Sequence, residues 1–223
     1  MNLRKFKSSL YQELAKVTKA LSNPNRLEII DLLAQGTFPV EYIAEETNQP
    51  IANTSQHLQV LKKSGLVKTD KRGKYSYYQL TNQSVLDTWC TMRKMAFEQN
   101  SEINDLLNDF RTKRNSFHMI GSQELAEKMK NEEVYIIDVR PEEEFNRGHI
   151  QTAVSCPQQS LDELINELPE DRDIVAYCRG PLCLRADEAV HRLREKGFQA
   201  LRLENGYTDW VMEKRPVSKT VKN

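Results

Sequence analysis

The sequence predicts two domains: a mainly α domain carrying a basic β-hairpin, then an α/β domain built on a parallel sheet. Three observations carry this. The 223 residues exceed the roughly 150 of one ordinary domain without reaching two large ones. Hydrophobic periodicity is helical through the first half, then gives way to short β-branched runs that alternate with helices. The charge changes sign where the pattern changes: residues 1–115 hold 17 Lys and Arg against 12 Asp and Glu, net +5, while residues 116–223 hold 15 against 20, net −5. A basic half next to an acidic one suggests that the first meets a polyanion, although two unrelated surfaces would look the same by this number. Composition agrees with two small cores, since 39% of residues are hydrophobic and 29% charged.

The same composition excludes other classes. The longest apolar stretches, such as Ile174–Cys178, are about five residues against the roughly 20 that a membrane helix needs. Met1–Leu10 carries three basic residues with no apolar segment behind them, unlike a secretory signal. Four cysteines, Cys90, Cys156, Cys178 and Cys183, are too few for a disulfide framework. The expectation is therefore a cytoplasmic protein, without a membrane partner, whose thiols are buried or reactive.

In order, residues 8–21 read as a helix with Leu10, Leu14, Val17 and Leu21 on one stripe. Asn23-Pro24 caps and opens a second helix that runs through Leu33 to Gly36. Val40–Thr47 is a short helix, Asn48-Gln49-Pro50 a turn, and Ala52–Ser64 a longer helix closed by Gly65. Leu66–Thr69 and Tyr75–Leu80 are strand-like, with Asp70–Lys74 as the hairpin tip. One long helix is expected from Ser84 to about Asp109, followed by a polar linker. Beyond it come a helix from Ser122 to Met129, a strand at Val134–Val139, a helix at Leu161–Leu168, a strand at Asp173–Tyr177, a helix at Arg185–Lys196 and a strand at Ala200–Leu203. The domains are expected at 1–112 and 117–217, with a linker at 113–116 and a tail at 218–223.

Helix, tight turn, helix and basic hairpin make a winged helix-turn-helix, in which the second helix enters the major groove of a DNA duplex. Its first side chains are Asn53, Thr54, Ser55, Gln56 and His57. Asn and Gln suit bidentate contacts to adenine, and Ser and Thr suit bases or phosphates. Lys62, Arg72 and Lys74 suit phosphates, with Lys63 and Lys71 nearby. His57 also suits a structural role in the helix, and Cys90, mid-helix beside Trp89, a packing thiol.

Leu21–Leu27, Ser55–Leu61, Ser64–Val67 and Gly73–Leu80 together resemble the ArsR/SmtB family of bacterial repressors over roughly residues 8–100. The resemblance implies binding to a double-stranded DNA operator as a homodimer formed by the first helix and the long helix after the wing. Metal sensing, common in that family, is not expected. Val40–Glu46 has no thiol where metal-sensing relatives carry paired cysteines, and no His lies between Ser84 and Phe110. No metal and no cofactor are expected.

In the second half Cys178 ends a strand and leads through Arg179–Leu184 to a helix beginning at Arg185. The helix dipole, Arg179 and Arg185 favour a thiolate there and an anion bound to it, although a buried core thiol fits the same position. Ile137–Arg140, Glu144–Ile150, Ala153–Pro157, Val175–Cys178, Arg185–Phe198 and Leu203–Trp210 resemble rhodanese, the sulfurtransferase fold, over about residues 117–215. The resemblance implies that Cys178 is a nucleophile that carries sulfane sulfur as a persulfide. It also implies that Asp138, Arg140 and His149 shape the fold.

Two features depart from that pattern. Seven positions separate Cys178 from Arg185, where single-domain rhodaneses commonly have five, and phosphatases and arsenate reductases of the same fold use a loop of intermediate length. Cys183 also lies inside the loop, where it can act as a resolving thiol. Cys156 is expected to pack in the core, with His118 and His191 on helix faces or the surface. The combined expectation is an ArsR-type regulator whose rhodanese domain senses or transfers sulfane sulfur, with a small sulfur donor or acceptor thiol as partner. The alternatives are a thiosulfate-type sulfurtransferase, or an arsenate- or phosphate-handling enzyme, in which the winged helix serves mainly dimerisation.

Overall fold

The structure, a computed structural model, describes residues 2–116 and 118–220. Phe117, Met1 and the last three residues of the expected tail lie outside the described residues. The chain forms two compact units, Met1–Arg93 and Lys94–Asn223.

The first unit begins with α1 (Leu3–Leu21) and α2 (Pro24–Leu33). The Asn23 side chain accepts from the Arg26 N–H at the start of α2, as the Asn-Pro pair predicts. A two-residue strand, β1 (Phe38–Pro39), precedes α3 (Val40–Glu46) and α4 (Ile51–Lys63). The turn between α3 and α4 passes through Asn48 at φ +49°, a left-handed position that asparagine tolerates. β2 (Val67–Arg72) and β3 (Tyr75–Leu80) form the hairpin, and β1 adds a third antiparallel strand beside β3. Register pairs Arg72 with Tyr75, so the strands run on through Asp70–Arg72 and the tip is only Gly73-Lys74, with Gly73 at φ +60°. The core gathers Ile29, Ile30, Leu32, Phe38, Ile43, Leu58 and Leu61. Trp89 on α5 (Gln83–Gln99) donates to Asp31 of α2.

The expected single helix from Ser84 is two helices. α5 stops at Gln99, and Asn100 leaves helical geometry to cap α6 (Ser101–Lys113), its side chain accepting from the Glu102 N–H. The second unit then contains β4 (Met119–Ile120), α7 (Ser122–Lys130), β5 (Val134–Asp138), α8 (Glu142–Arg147), β6 (His149–Ile150) and β7 (Val154–Ser155). These are followed by α9 (Leu161–Leu164), β8 (Asp173–Tyr177), α10 (Arg185–Glu195), β9 (Ala200–Leu203), α11 (Tyr207–Met212) and β10 (Val217–Ser218). The expected helix at Leu161–Leu168 is shorter, tightening into a 3-10 turn at Ile165–Glu167.

Five strands form one parallel sheet in the order β4-β9-β8-β5-β7, and β6 pairs with β10 apart from it. The chain leaves β5 toward β7 on one side and returns to β8 on the other. The carboxyl ends of β5 and β8 therefore flank the point where the winding reverses, the usual position of a site in an open α/β sheet. Ile137, Ile174, Ala176, Val190 and Leu193 pack one face of this sheet, and Ile120, Ile136, Val175, Leu203 and Trp210 the other.

Candidate functional site

Two sites emerge, one in each unit. On α4, Thr54, Leu58 and Leu61 point inward, a spacing of four and three that turns Asn53, Gln56 and Gln59 outward. Thr54 is removed from the expected reading set: it is buried, and its hydroxyl donates to the Pro50 carbonyl of the preceding turn. Ser55 and His57 are half-buried, and Nε2 of His57 lies 3.4 Å from the Asn25 amide of α2. Asn53, Gln56 and Gln59 are exposed on the outer side of the helix. The three-residue step from Gln56 to Gln59 extends this polar stripe one turn beyond the residues expected from the sequence.

The hairpin tip is exposed and basic. The Arg72 guanidinium lies 4.8 Å from the Tyr77 ring centroid and 2.9 Å from Asp70, and the Lys74 ammonium lies 5.3 Å from the Tyr75 ring centroid. Lys62, at the end of α4, is exposed.

In the second unit Cys178 immediately follows β8 and is 1% exposed, while Cys183 is half-buried in the loop. The two are joined by a disulfide, with Cα atoms 6.1 Å apart. A turn inside the loop supports them, the Cys183 N–H donating to the Gly180 carbonyl. The start of α11 holds the loop from outside. The Tyr207 N–H donates to the Cys178 carbonyl at 2.9 Å and the Thr208 N–H to the Arg179 carbonyl at 3.0 Å. Gly206 makes that approach feasible: it sits at φ +83°, and a Cβ there would fall 2.7 Å from both the Cys178 oxygen and Gly180.

The arginines expected around the thiolate divide. Arg179 is turned away to α8, where its Nε lies 3.0 Å from the buried Glu144 carboxylate, so its charge is already matched. Arg185 opens α10, half-buried. Only the folded chain brings Glu144 and Arg179, 35 positions apart, together. Arg111 of α6 likewise reaches the cysteine loop, its Nη2 donating to the Pro181 carbonyl at 3.3 Å. The polar run 111–116, expected to be the linker with its bounds at 113–116, is anchored instead: α6 runs on through Lys113, Arg111 and Ser116 are both buried, and Ser116 bonds back to Arg111.

Behind the loop lies a buried network. Tyr177 donates to Asp138 at 2.6 Å and accepts from the Ile150 N–H, and Arg140 donates to Asp138 and to the Gly148 carbonyl. Burial lowers the tendency of Arg140 to stay charged, but the Asp138 charge and hydrogen bonds outweigh it and hold its pKa above the ordinary value. Burial, then Asp138, pushes the Tyr177 hydroxyl well up. Cys156 is free and fully buried, and burial pushes its thiol up to about 11. Among the described residues no group of three or more His, Cys, Asp or Glu is gathered as for a metal, and no helix is long and apolar enough to cross a membrane.

A helix-turn-helix with a basic hairpin, followed by a cysteine loop on a five-stranded parallel sheet, defines a DNA-binding regulator joined to a rhodanese-like domain. The helix-turn-helix family matches residues 21–70, and the rhodanese-like domain family matches residues 122–213. Over 211 residues the chain is 37% identical to the HTH-type transcriptional regulator Rv0324 of Mycobacterium tuberculosis, covering 95% of this chain and 92% of that protein. It is 30% identical over 100 residues to a sulfurtransferase of Allochromatium vinosum, covering 44% of this chain and 92% of the relative. Among solved structures, it is similar to the homodimeric winged helix-turn-helix DNA-binding domain of a Mycobacterium bovis protein, at 38% identity and TM-score 0.41 over 42% of this chain and 87% of that one. The chain belongs to the ArsR-type helix-turn-helix transcriptional regulators that carry a C-terminal rhodanese-like domain.

Proposed function

We propose that this regulator binds an operator as a homodimer and that the Cys178–Cys183 pair sets its affinity in response to sulfane sulfur. The observation that carries the reading is the disulfide itself: two sulfurs five positions apart meet across a loop at the switch point of the sheet. The reduced pair is then within reach for both halves of a sulfur exchange. The Cys178 thiolate attacks the outer sulfur of a persulfide donor, breaks its S–S bond and releases the donor's thiolate. Cys183 then attacks Sγ of Cys178, expels the carried sulfur as hydrosulfide and leaves the disulfide. One sulfane sulfur is reduced to sulfide while two thiols are oxidised. Two equivalents of a low-molecular-weight thiol reset the pair and leave as their own disulfide. The positive end of α10 and Arg185 favour the thiolate and an anionic donor.

Asn53, Gln56 and Gln59 are assigned to base edges, and Lys62, Arg72 and Lys74 to phosphates. The second copy is assigned to the exposed stripe Leu3, Phe6, Leu10 and Leu14 on α1, an unusually apolar run for a solvated helix face.

The test selects a duplex from a random pool with the reduced protein and follows its binding by anisotropy while glutathione persulfide is added. Operator affinity is expected to change several-fold in the wild type and to stay constant in Cys178→Ser. Cys183→Ser is expected to accumulate persulfide on Cys178, seen by mass spectrometry, where the wild type releases sulfide. Sulfide release by the wild type with unchanged DNA affinity overturns the sensor and leaves a sulfurtransferase, the reading that the Allochromatium vinosum relative favours. That activity is measured as sulfur transfer from thiosulfate to cyanide.

A further inference from the structure

Arg111 lies outside the segment matched by the rhodanese-like family, yet it is built into the cysteine loop. Its side chain is 8% exposed, and its guanidinium has two branches in use. Nε donates to Oδ1 of Asp187 at 2.9 Å, and Nη2 donates to the Pro181 carbonyl at 3.3 Å. Pro181 lies three positions after Cys178 and two before Cys183, at the middle of the segment that the disulfide closes. Asp187 is fully buried in the first turn of α10, the helix into which that segment runs. Ser116 fixes the end of α6 behind the guanidinium. Its N–H donates to the Arg111 carbonyl at 3.0 Å, and its hydroxyl lies 3.5 Å from Asp187. Arg114 adds a second tie, to Glu188, at 3.4 Å.

A guanidinium is planar, so its two branches keep a fixed angle to one another. The branch on Asp187 anchors it to α10, and the other then meets a carbonyl at one position only. That position is set by the closed loop, with its cysteine Cα atoms 6.1 Å apart. When the disulfide opens, residues 179–182 lose their covalent closure, and the Pro181 carbonyl is free to leave the branch that Asp187 holds in place. The contact is thus one that opening the disulfide can change, which is what a residue that reports on that state requires.

We infer that Arg111 is a positioning residue for the cysteine pair: it favours the closed loop over the open one, and so ties α6 to the redox state of Cys178 and Cys183. The inference rests on the sulfur-responsive reading for its purpose, but not for its measurement. In glutathione buffers the exchange is one protein disulfide plus two glutathiones, giving one dithiol and one glutathione disulfide. Its equilibrium is read on the full chain by alkylation and mass after acid quenching, with neither sulfur donor nor DNA present.

Arg111→Lys keeps a charge beside Asp187 and lacks the second branch, whereas Arg111→Gln loses both. Each is expected to shift the equilibrium about tenfold toward the dithiol, the size of one hydrogen bond from a charged donor. Arg114→Gln, whose tie to Glu188 does not touch the loop, is expected to stay within twofold of the wild type. A residue that merely supports the fold would lower the stability of both states alike and leave this equilibrium unmoved. If Arg111→Gln does not fold, Arg111→Lys decides alone. A folded Arg111→Lys within twofold of the wild type overturns the inference, as does a wild type that never closes the disulfide across the buffer range. A shifted midpoint with persulfide-independent DNA binding keeps the positioning role and rejects the sensor.

Discussion

Asp138 and Asp187 are both fully buried in the second unit, and they are neutralised in opposite ways. Asp138 has one cation, Arg140, two residues along the chain, which reaches both carboxylate oxygens. The Tyr177 hydroxyl and the Arg140 N–H complete its shell, and the far side of Arg140 lies on the Gly148 carbonyl and 3.8 Å from the Tyr207 ring centroid. Asp187 has two cations from distant parts of the chain. Arg111, 76 residues away, makes the hydrogen bond; Arg202 stands 3.3 Å from Oδ2 without hydrogen-bond geometry. Burial lowers the Arg202 pKa to about 10, with the pull of Asp187 partly cancelled by repulsion from Arg111. A closed pair with every branch bonded holds one local shape. A shared carboxylate joins α6, α10 and β9 and leaves one guanidinium branch free to hold a loop.

The sharpest way to break this contrast is Asp138→Asn. It strands Arg140 as a buried charge, a change expected to cost about 3–5 kcal/mol. Urea unfolding followed through the buried Trp210 measures it, and the loss is expected to be equal with the cysteine pair oxidised or reduced. A loss below about 1 kcal/mol would show that the network is not the closed unit its geometry describes.

Asp187→Asn is the paired experiment, with a loss also expected at about 3–5 kcal/mol, because it strands the buried Arg202 even though Arg111 lies near enough to the surface to recruit water. Unlike Asp138→Asn, it is expected to be unequal between the two redox states, destabilising the disulfide form more, since Asp187 aims the branch that holds Pro181. Equal losses in both forms would erase the distinction between the clusters.

The contrast also explains what could be read from the chain. Asp138 and Arg140 sit in one short motif, and Cys178 ends a β-branched strand ahead of a helix, so pattern and resemblance reach them. Helix α4 was legible for the same reason, except that Thr54 turns inward once Leu58 and Leu61 define the buried face. The pairs Arg111–Asp187 and Arg179–Glu144 were not legible. Each joins residues many positions apart, and nothing in residue type tells a polar linker arginine from one that will be buried on a carboxylate. The break at Asn100 was missed because the apolar spacing carries on across it, while the cap is a local competition that Asn wins. β4 and β7, two residues each, are too short to show any periodicity.

The third cysteine of this unit, Cys156, lies on the closed side. Cys156 shares a core with Cys178 and Cys183, and its N–H donates to the Asp138 carbonyl at 2.8 Å, on the closed side of the contrast. Burial is the main cause that lifts its thiol to about 11, opposed by Arg192 and reinforced by Asp138. In the unfolded chain the same thiol ionises near the ordinary cysteine value. Between roughly pH 9 and 11 the folded state therefore keeps a proton that the unfolded state has lost, so stability falls as pH rises through that window. The full rise, from the ordinary 9.0 to about 11, corresponds to at most about 3 kcal/mol. Urea midpoints measured from pH 8 to 11 are expected to fall more steeply in the wild type than in Cys156→Ala, and native-state alkylation at pH 8.5 is expected to spare Cys156 while it labels the half-buried Cys183 of the reduced loop. Matching slopes, or rapid labelling of Cys156, would mean that this sulfur is no more sheltered than Cys183.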